Sequence, residues 1–453
     1  MIIITLLRYL FSILTALLVM LLVFVLVSVV PIDRTPYTQK DFYPVMNQNL
    51  ESLDGLAIPP AEHGFAAGFA KENITPAYPT ALAGSGLRRL HFKTIHDSIY
   101  VRTIVISNGT TSVALVSLDM LLVPPEVTRL LESELKTIGY GLDNTYLSAT
   151  HTHSSIGNWG KHLSGRLYSG PHDDALVNFL VKKIVRSIAT ADSVAIPSTV
   201  SAATIPVGNM LYNRLAREAG TIDSLLRVVE INRIDSSRLI LASFTGHATC
   251  DQSGSLGLSR DYPGVFVDAL ERQGYTMAMF MAGAVGSHGC IGPERGRKLV
   301  NQVGETLASA FAGSRELLQP VNDSTLVMVS VPLELGSPQF RISKNWCVRP
   351  WLFNAVFGTY RPELTALRIG DLLMLGTPCD FSGELTGALD SAATRLGMRA
   401  MVTSFNGNYV GYITKDEWYD VDHYETRLMN WYGPGNGSYL SECLTKLIES
   451  LDE

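Results

Sequence analysis

The chain opens on one long apolar run and then settles into alternating polar and apolar positions. Residues 9–30, YLFSILTALLVMLLVFVLVSVV, are 22 in succession without a charge. About 20 apolar residues in a helix cross a bilayer, so residues 1–31 are expected to form a transmembrane signal anchor. A cleaved signal peptide is the competing reading, but the run is long for one and no A-x-A pattern follows it. Beyond it, PIDRTPYTQKDFYPVMNQNLESLDGLAIPP is polar and bounded by prolines, which predicts a stalk over 32–60. The globular part is expected over 61–453 as one domain, because no later stretch reads as a linker.

Within that domain the period changes repeatedly from two to about 3.6. YVRTIVISNGTTSVALVSLDMLL (100–122) places two β-branched runs around Asn108-Gly109, a hairpin pattern. PPEVTRLLESELKTIGYG (124–141) starts after prolines, spaces its apolar residues as a helix and stops at glycine. NTYLSATH (144–151) then reads as a strand. DALVNFLVKKIVRSIATA (174–191), YPGVFVDALERQG (262–274) and RKLVNQVGETLASAFAG (297–313) read as helices. SLLRVVEINR (224–233), RLILASFTGHATC (238–250), TMAMFMAGAVGSHG (276–289), STLVMVSVPLEL (324–335), TALRIGDLLMLGTP (365–378) and RAMVTSFNGNYVGYIT (399–414) read as strands. The alternation predicts an α/β fold, with mixed β-sheets flanked by helices in a single large domain behind one transmembrane helix.

Charge narrows the function classes. The net charge is −6 and no basic cluster stands out, so nucleic acid is not expected as the main partner. Arg8 precedes the apolar run while Asp33 and Arg34 follow it. The positive-inside rule then favours a cytoplasmic N-terminus and a globular part outside the cytoplasm, which is the periplasm in a bacterium. The five cysteines form no C-x-x-C pair, which argues against a zinc ribbon. Their odd number allows at most two disulfides within the chain.

Candidate chemistry gathers where strands end. LSATHTHSS places His151 and His153 two apart. On an extended segment such residues share a face, so the two can chelate a metal, or one can bind metal while the other acts on substrate. The bland alternative is a polar loop at a strand end. His247, in FTGHATC, also follows a strand and is flanked by small residues; alone it is as easily a packed core histidine. Three imidazoles brought together would suit zinc. GTPCDFSGEL (376–385) offers Asp380 and Glu384 as an oxygen ligand, or as acidic residues favoured at a helix start. NGNYVGYITKDEWYDVDHYETRLMNWYGPG (406–435) is dense in tyrosine and tryptophan, including Tyr409, Tyr412 and Tyr424. Such a stretch packs a core edge or lines a substrate wall, and a tyrosine hydroxyl can ligate metal or donate to an oxyanion.

Together, LSATHTHS and YVGYIT, DEWY, YE and WYGP in that order resemble the neutral/alkaline (non-lysosomal) ceramidase family. Its members carry a THTHSGPGG stretch and a late YxxYVTTxEEYxxxxYEGxxTxYGP stretch. The likeness runs from AAGFAKENITP (66–76) through DYPG (261–264) and GAVGS (283–287) to the end of the chain. It implies a zinc amidohydrolase that cleaves the N-acyl amide of ceramide, or of a related N-acylated lipid, to a fatty acid and an amine. Carried over by motif, the resemblance implies Zn2+ held by His151, His247, Asp380 and Tyr412, with Glu384 as the alternative to Asp380. It implies His153, Arg214 (in LYNR) and Tyr424 around the scissile amide, a lipid as substrate, and the membrane as partner through the N-terminal helix. Departures from the pattern are SSIGNWG for SGPGG, which adds Trp159, and PCDF for PGEF, which shortens the carboxylate side chain by one methylene. GAVGSHG stands where the family has SNxGD, so Ser287 is given no nucleophilic role. The immunoglobulin-like C-terminal domain of well-known members is not expected after YGPG.

Two other readings compete. A membrane-anchored zinc amidase or esterase on a non-ceramide substrate keeps the metal and changes the specificity. A displayed binding module without chemistry is the other; the His, His, Asp and Tyr set argues against it. A serine hydrolase ranks last, because the chain has no G-x-S-x-G.

Overall fold

The computed structural model describes residues 2–84, 90–251 and 256–452. The apolar run forms a helix, Ile2–Ser28, and is the one helix among the described residues long and apolar enough to cross a membrane.

The rest is built of four layers, and the two-residue period explains why. In the strand Tyr100–Ser107, Val101 and Val105 face one core while Ile104 and Ile106 face another. A strand buried on both faces needs a partner layer on each. The large sheet runs in the order Met277–Ala282, Arg238–Phe244, Leu225–Arg233, Ile196–Pro206, Ala66–Asn73, Tyr100–Ser107, Ser112–Leu118 and Thr145–Ala149, with Gln319–Pro320 paired to Ile196–Pro206. A smaller sheet runs Leu326–Pro332, Glu363–Ile369, Leu372–Thr377 and Arg399–Ser404. The two sheets pack face to face through Ile104, Leu115, Met279, Leu367, Met374 and Met401.

Helices close both outer faces. Asp174–Ser193 lays Leu176, Leu180, Ile184 and Ile188 on the large sheet at four-residue spacing. Asp173 caps it, accepting from the Ala175 and Leu176 amides at 2.9 and 3.2 Å, an interaction typically worth about 1 kcal/mol. Asp261–Arg272 and Arg297–Ala312 cover the other half of that sheet. Thr386–Arg395 and Asn436–Ser450 cover the smaller sheet. The mixed α/β architecture behind one long apolar helix is therefore as expected.

Three details differ from the pattern-based expectation. The run 365–378 is two antiparallel strands, with Ile369 opposite Leu372. Gly370 turns the chain between them at φ +59, a conformation that costs glycine little. The run 399–414 breaks at Phe405, leaving Tyr412–Ile413 as a separate short strand. The segment read as a stalk lies against the domain. Its helix Phe42–Glu51 buries Met46 and Leu50 beside the smaller sheet, and the Tyr37 and Tyr43 hydroxyls donate to Glu442 at 2.9 and 2.6 Å.

The topology brings several strand ends to one place. Thr145–Ala149 runs parallel to Ser112–Leu118, Arg238–Phe244 parallel to Met277–Ala282, and Leu372–Thr377 parallel to Arg399–Ser404. The two sheets are stitched beneath their carboxyl ends: Ser148 Oγ donates to the Ser404 carbonyl at 3.0 Å, and Asn406 Nδ2 to the Leu147 carbonyl at 2.7 Å. Sites in open α/β sheets form at the carboxyl ends of strands.

Candidate metal centre and its cavity

His151 lies two residues past the strand Thr145–Ala149, and His247 three past Arg238–Phe244. The chain must turn sharply there. His151 adopts φ +60, Ser287 +63 and Phe405 +65. A non-glycine residue held in this left-handed region costs of order 1–3 kcal/mol and persists where its surroundings dictate it. For His151 the surroundings include the Phe405 ring, stacked on the imidazole at 4.0 Å between centroids.

Three imidazoles converge on one point. The Nε2 atoms of His151 and His247 are 3.0 Å apart, those of His151 and His153 3.1 Å, and those of His153 and His247 2.9 Å. The other ring nitrogens decide what these atoms can do. Nδ1 of His151 meets the Leu121 carbonyl at 2.6 Å, that of His153 the Gly84 carbonyl at 2.5 Å, and that of His247 the Val285 carbonyl at 3.4 Å. A carbonyl only accepts, so each Nδ1 carries a proton, and in a neutral ring Nε2 then turns a lone pair inward. Burial, then the Arg214 guanidinium, pushes His247 well below the ordinary histidine range, so it stays neutral.

A carboxylate joins them. Asp380 Oδ1 lies 3.3 Å from His151 Nε2 and 3.9 Å from His247 Nδ1. It is buried and has no hydrogen-bond partner among the described residues. The other oxygen, Oδ2, accepts from the Tyr409 hydroxyl at 2.6 Å. Three lone pairs and an anionic oxygen with no donor between them repel one another. A cation relieves that repulsion, and N and O donors of this kind suit zinc. The residues present therefore fit a divalent metal.

Asp380 and Tyr412 are neighbours on paired short strands. Tyr412 is buried, and its phenol is raised well above its usual range by burial, then by Asp380 and Tyr424. Its ring stands 6.4 Å from that of His247 and 6.0 Å from that of Tyr424. Glu384, the alternative oxygen ligand, is engaged elsewhere: its Oε1 accepts from the Thr221 amide and the Trp418 indole, both at 3.2 Å. Arg214 Nε lies 3.0 Å from Glu425 Oε1, and its guanidinium stands 5.9 Å from the Tyr424 ring. Burial works against the Arg214 cation. Glu425, then Tyr412, Tyr424 and Asp380, more than offset that and hold it protonated. Ser287 Oγ donates to the other Glu425 oxygen at 2.9 Å, a supporting contact rather than a nucleophile's.

A cavity of about 410 Å3 opens over this cluster, within the usual range of small-molecule sites. His151, His153, Asp380, Tyr412 and Tyr424 line its polar end, and Trp159, Phe340, Phe357 and Trp431 are among its apolar walls. Sequence reasoning missed Tyr409 as the residue that holds Asp380, and Glu425 as the partner of Arg214. Both lie in the tyrosine-rich stretch, but nothing in their spacing marks them. His153, expected from the sequence beside the scissile amide, has its Nε2 3.1 Å from that of His151 and 2.9 Å from that of His247.

Fold and site together define an α/β protein with a histidine-rich candidate metal centre at its strand ends. Residues 65–218 match the family described as neutral/alkaline non-lysosomal ceramidase, N-terminal. The solved neutral ceramidase from Pseudomonas aeruginosa is similar over 86% of this chain and 75% of its own, with a TM-score of 0.75 and 18% identity. A ceramidase complexed with C2 is similar over the same shares, with a TM-score of 0.74 and 18% identity. At this identity the structural likeness is one of fold. No curated protein matches the chain by sequence. The resemblance to the ceramidase family drawn from the motifs is thereby borne out.

Proposed function

We propose that this protein is a membrane-anchored, zinc-dependent amidase that hydrolyses the N-acyl bond of ceramide or a related N-acylated lipid. The observation that carries the reading is the convergence of His151, His153 and His247, whose ligand atoms lie within 4.8 Å of one another at the end of an apolar cavity. His151, His247, Asp380 and Tyr412 would hold the metal. A divalent ion bound there supplies a Lewis acid and a water acidic enough to act as nucleophile near neutral pH.

The chain's own groups do the rest. Trp159, Phe340, Phe357 and Trp431 take up the acyl chain and exclude water from the amide, which strengthens every polar contact at the polar end. Tyr424 is 41% exposed, and the desolvation of its buried part raises the phenol above its usual range, so it is protonated at neutral pH. It can donate to the carbonyl oxygen as negative charge develops there, a contribution typically worth about 3 kcal/mol. His153, beside the metal ligands and facing the cavity, would take a proton from the attacking water on Nε2 and pass it to the leaving amine. The Arg214–Glu425 pair fixes the wall on which Tyr424 stands. Water adds across the C–N bond and yields a fatty acid and an amine. The N-terminal helix holds the enzyme to the membrane, with the globular part outside the cytoplasm.

The test is metal content and hydrolysis of an N-acyl sphingoid amide by the full chain in detergent. His151→Ala and His247→Ala are expected to lose both. Full hydrolysis in either variant overturns the reading, and unchanged metal content misplaces the centre. A panel of other N-acylated lipids and esters separates ceramide from a different substrate.

A further inference from the structure

The end of the apolar helix is tied to the wall of the cavity. Val29–Pro31 pair antiparallel with Trp346–Val348. The Arg349 amide donates to the Ser28 carbonyl at 2.8 Å, and the Ile32 amide to the Asn345 carbonyl at 3.0 Å. Trp351 Nε1 donates to the Val27 carbonyl at 2.9 Å. The last turn of the helix therefore has its position set by residues 345–351.

That segment runs directly into the helix Pro350–Phe357. Residues four apart on a helix share a face. Phe353 and Phe357 stack at 4.4 Å on the inner face, and Phe357 meets Trp431 at 5.0 Å as part of the cavity wall. Trp351 lies on the other face, 50% exposed, and Trp346 is 48% exposed beside it. Lys344 and Arg349 are exposed on the same stretch. The lining residues that reach solvent at the mouth of the cavity are Lys161, Tyr168, Tyr360, Tyr424 and Leu428.

The Ile2–Ser28 helix has 27 residues, about 40 Å at 1.5 Å per residue. The hydrocarbon core of a bilayer is about 30 Å thick, the length that the uncharged residues 9–28 span as helix, so with Arg8 at one lipid–water boundary Val27 and Ser28 reach the other. Tryptophan concentrates at that boundary, and Lys and Arg reach lipid phosphates there. We infer that the rim 340–360 is a membrane-contact surface, seated in the headgroup zone of the leaflet from which the helix emerges. The cavity then opens onto that leaflet and takes its substrate from the bilayer rather than from water. The inference rests on the anchor reading and is independent of the chemistry. The occupant is the bilayer because the rim continues the surface of the spanning helix without a break.

The test uses the full chain in phosphatidylcholine vesicles whose acyl chains carry bromine just below the headgroups. The chain has five tryptophans. Emission is expected to be quenched in the wild type, and quenching is expected to fall at least about two-fold in W346F/W351F. Equal quenching in the two proteins overturns the inference. So does loss of quenching together with a dimer that the double variant breaks, which would make the rim a contact between copies. In a second arm, W346D/W351D is expected to hydrolyse a long-chain amide in vesicles about ten-fold more slowly, with a water-soluble short-chain amide unaffected; equal slowing of both also overturns it. If no amide is hydrolysed at all, the proposed chemistry fails while the quenching result stands on its own.

Discussion

Tyr409→Phe removes one oxygen from the candidate metal centre and leaves the ring. The hydroxyl donates to Asp380 Oδ2 at 2.6 Å, inside the range of a charge-assisted bond. Burial, then the Asp380 charge, raises the Tyr409 phenol well above its usual range, so it remains a donor at neutral pH. The ring also packs edge-on against Trp431 at 5.3 Å, a contact that phenylalanine keeps. Removing the hydroxyl frees the carboxylate to rotate and strands a buried oxygen. A buried hydrogen bond to a charged group contributes about 1.5–3 kcal/mol, and loss of an outer partner of a metal ligand typically weakens binding 10- to 100-fold. The two figures agree, since tenfold corresponds to about 1.4 kcal/mol. The assay is competition for Zn2+ between the full chain in detergent and a chromogenic chelator at fixed neutral pH. A Kd within two-fold of wild type would refute the claim that Asp380 is a ligand oriented by Tyr409.

Glu425→Ala leaves Arg214 buried without its counter-charge, and breaking a buried pair in this way costs about 3–5 kcal/mol; a lower denaturation midpoint is expected, and an unchanged one would mean that the arginine finds another anion. Asp261 is raised to about 6 by burial, with the Asp251 charge adding to the effect. Its folded form thus holds a proton that the unfolded chain, with a pKa near 3.8, releases earlier. This contribution is fully present below about 4 and is lost as pH rises to about 6, a span worth up to about 3 kcal/mol. Denaturant titrations across that window should show the slope in the wild type and not in Asp261→Asn; parallel profiles would refute it.

Much of this architecture can be read from local pattern. The Asn108-Gly109 hairpin, the helices Asp174–Ser193 and Arg297–Ala312 and the strand before His151 all follow from residue type and period. Each depends on interactions a few positions apart. The turn at Gly370 was hidden because apolar positions continue without a gap through it. The helix Phe42–Glu51 was hidden by polar neighbours, since only Met46 and Leu50 are fully buried in it.

The amino-acid order by itself determined that histidines stand at strand ends, that a long apolar helix precedes the domain, and that sheets alternate with helices. Only the tertiary structure decided that His151 and His247, 96 positions apart, meet at 3.0 Å, that Asp380 rather than Glu384 lies beside them, and that Tyr409 holds it. Only the tertiary structure joined the last turn of the apolar helix to the cavity wall. Periodicity reports which face of an element is buried, and it is silent on which elements lie side by side. That choice is made by the packing of two sheets against each other, through side chains distant in the chain that close one core.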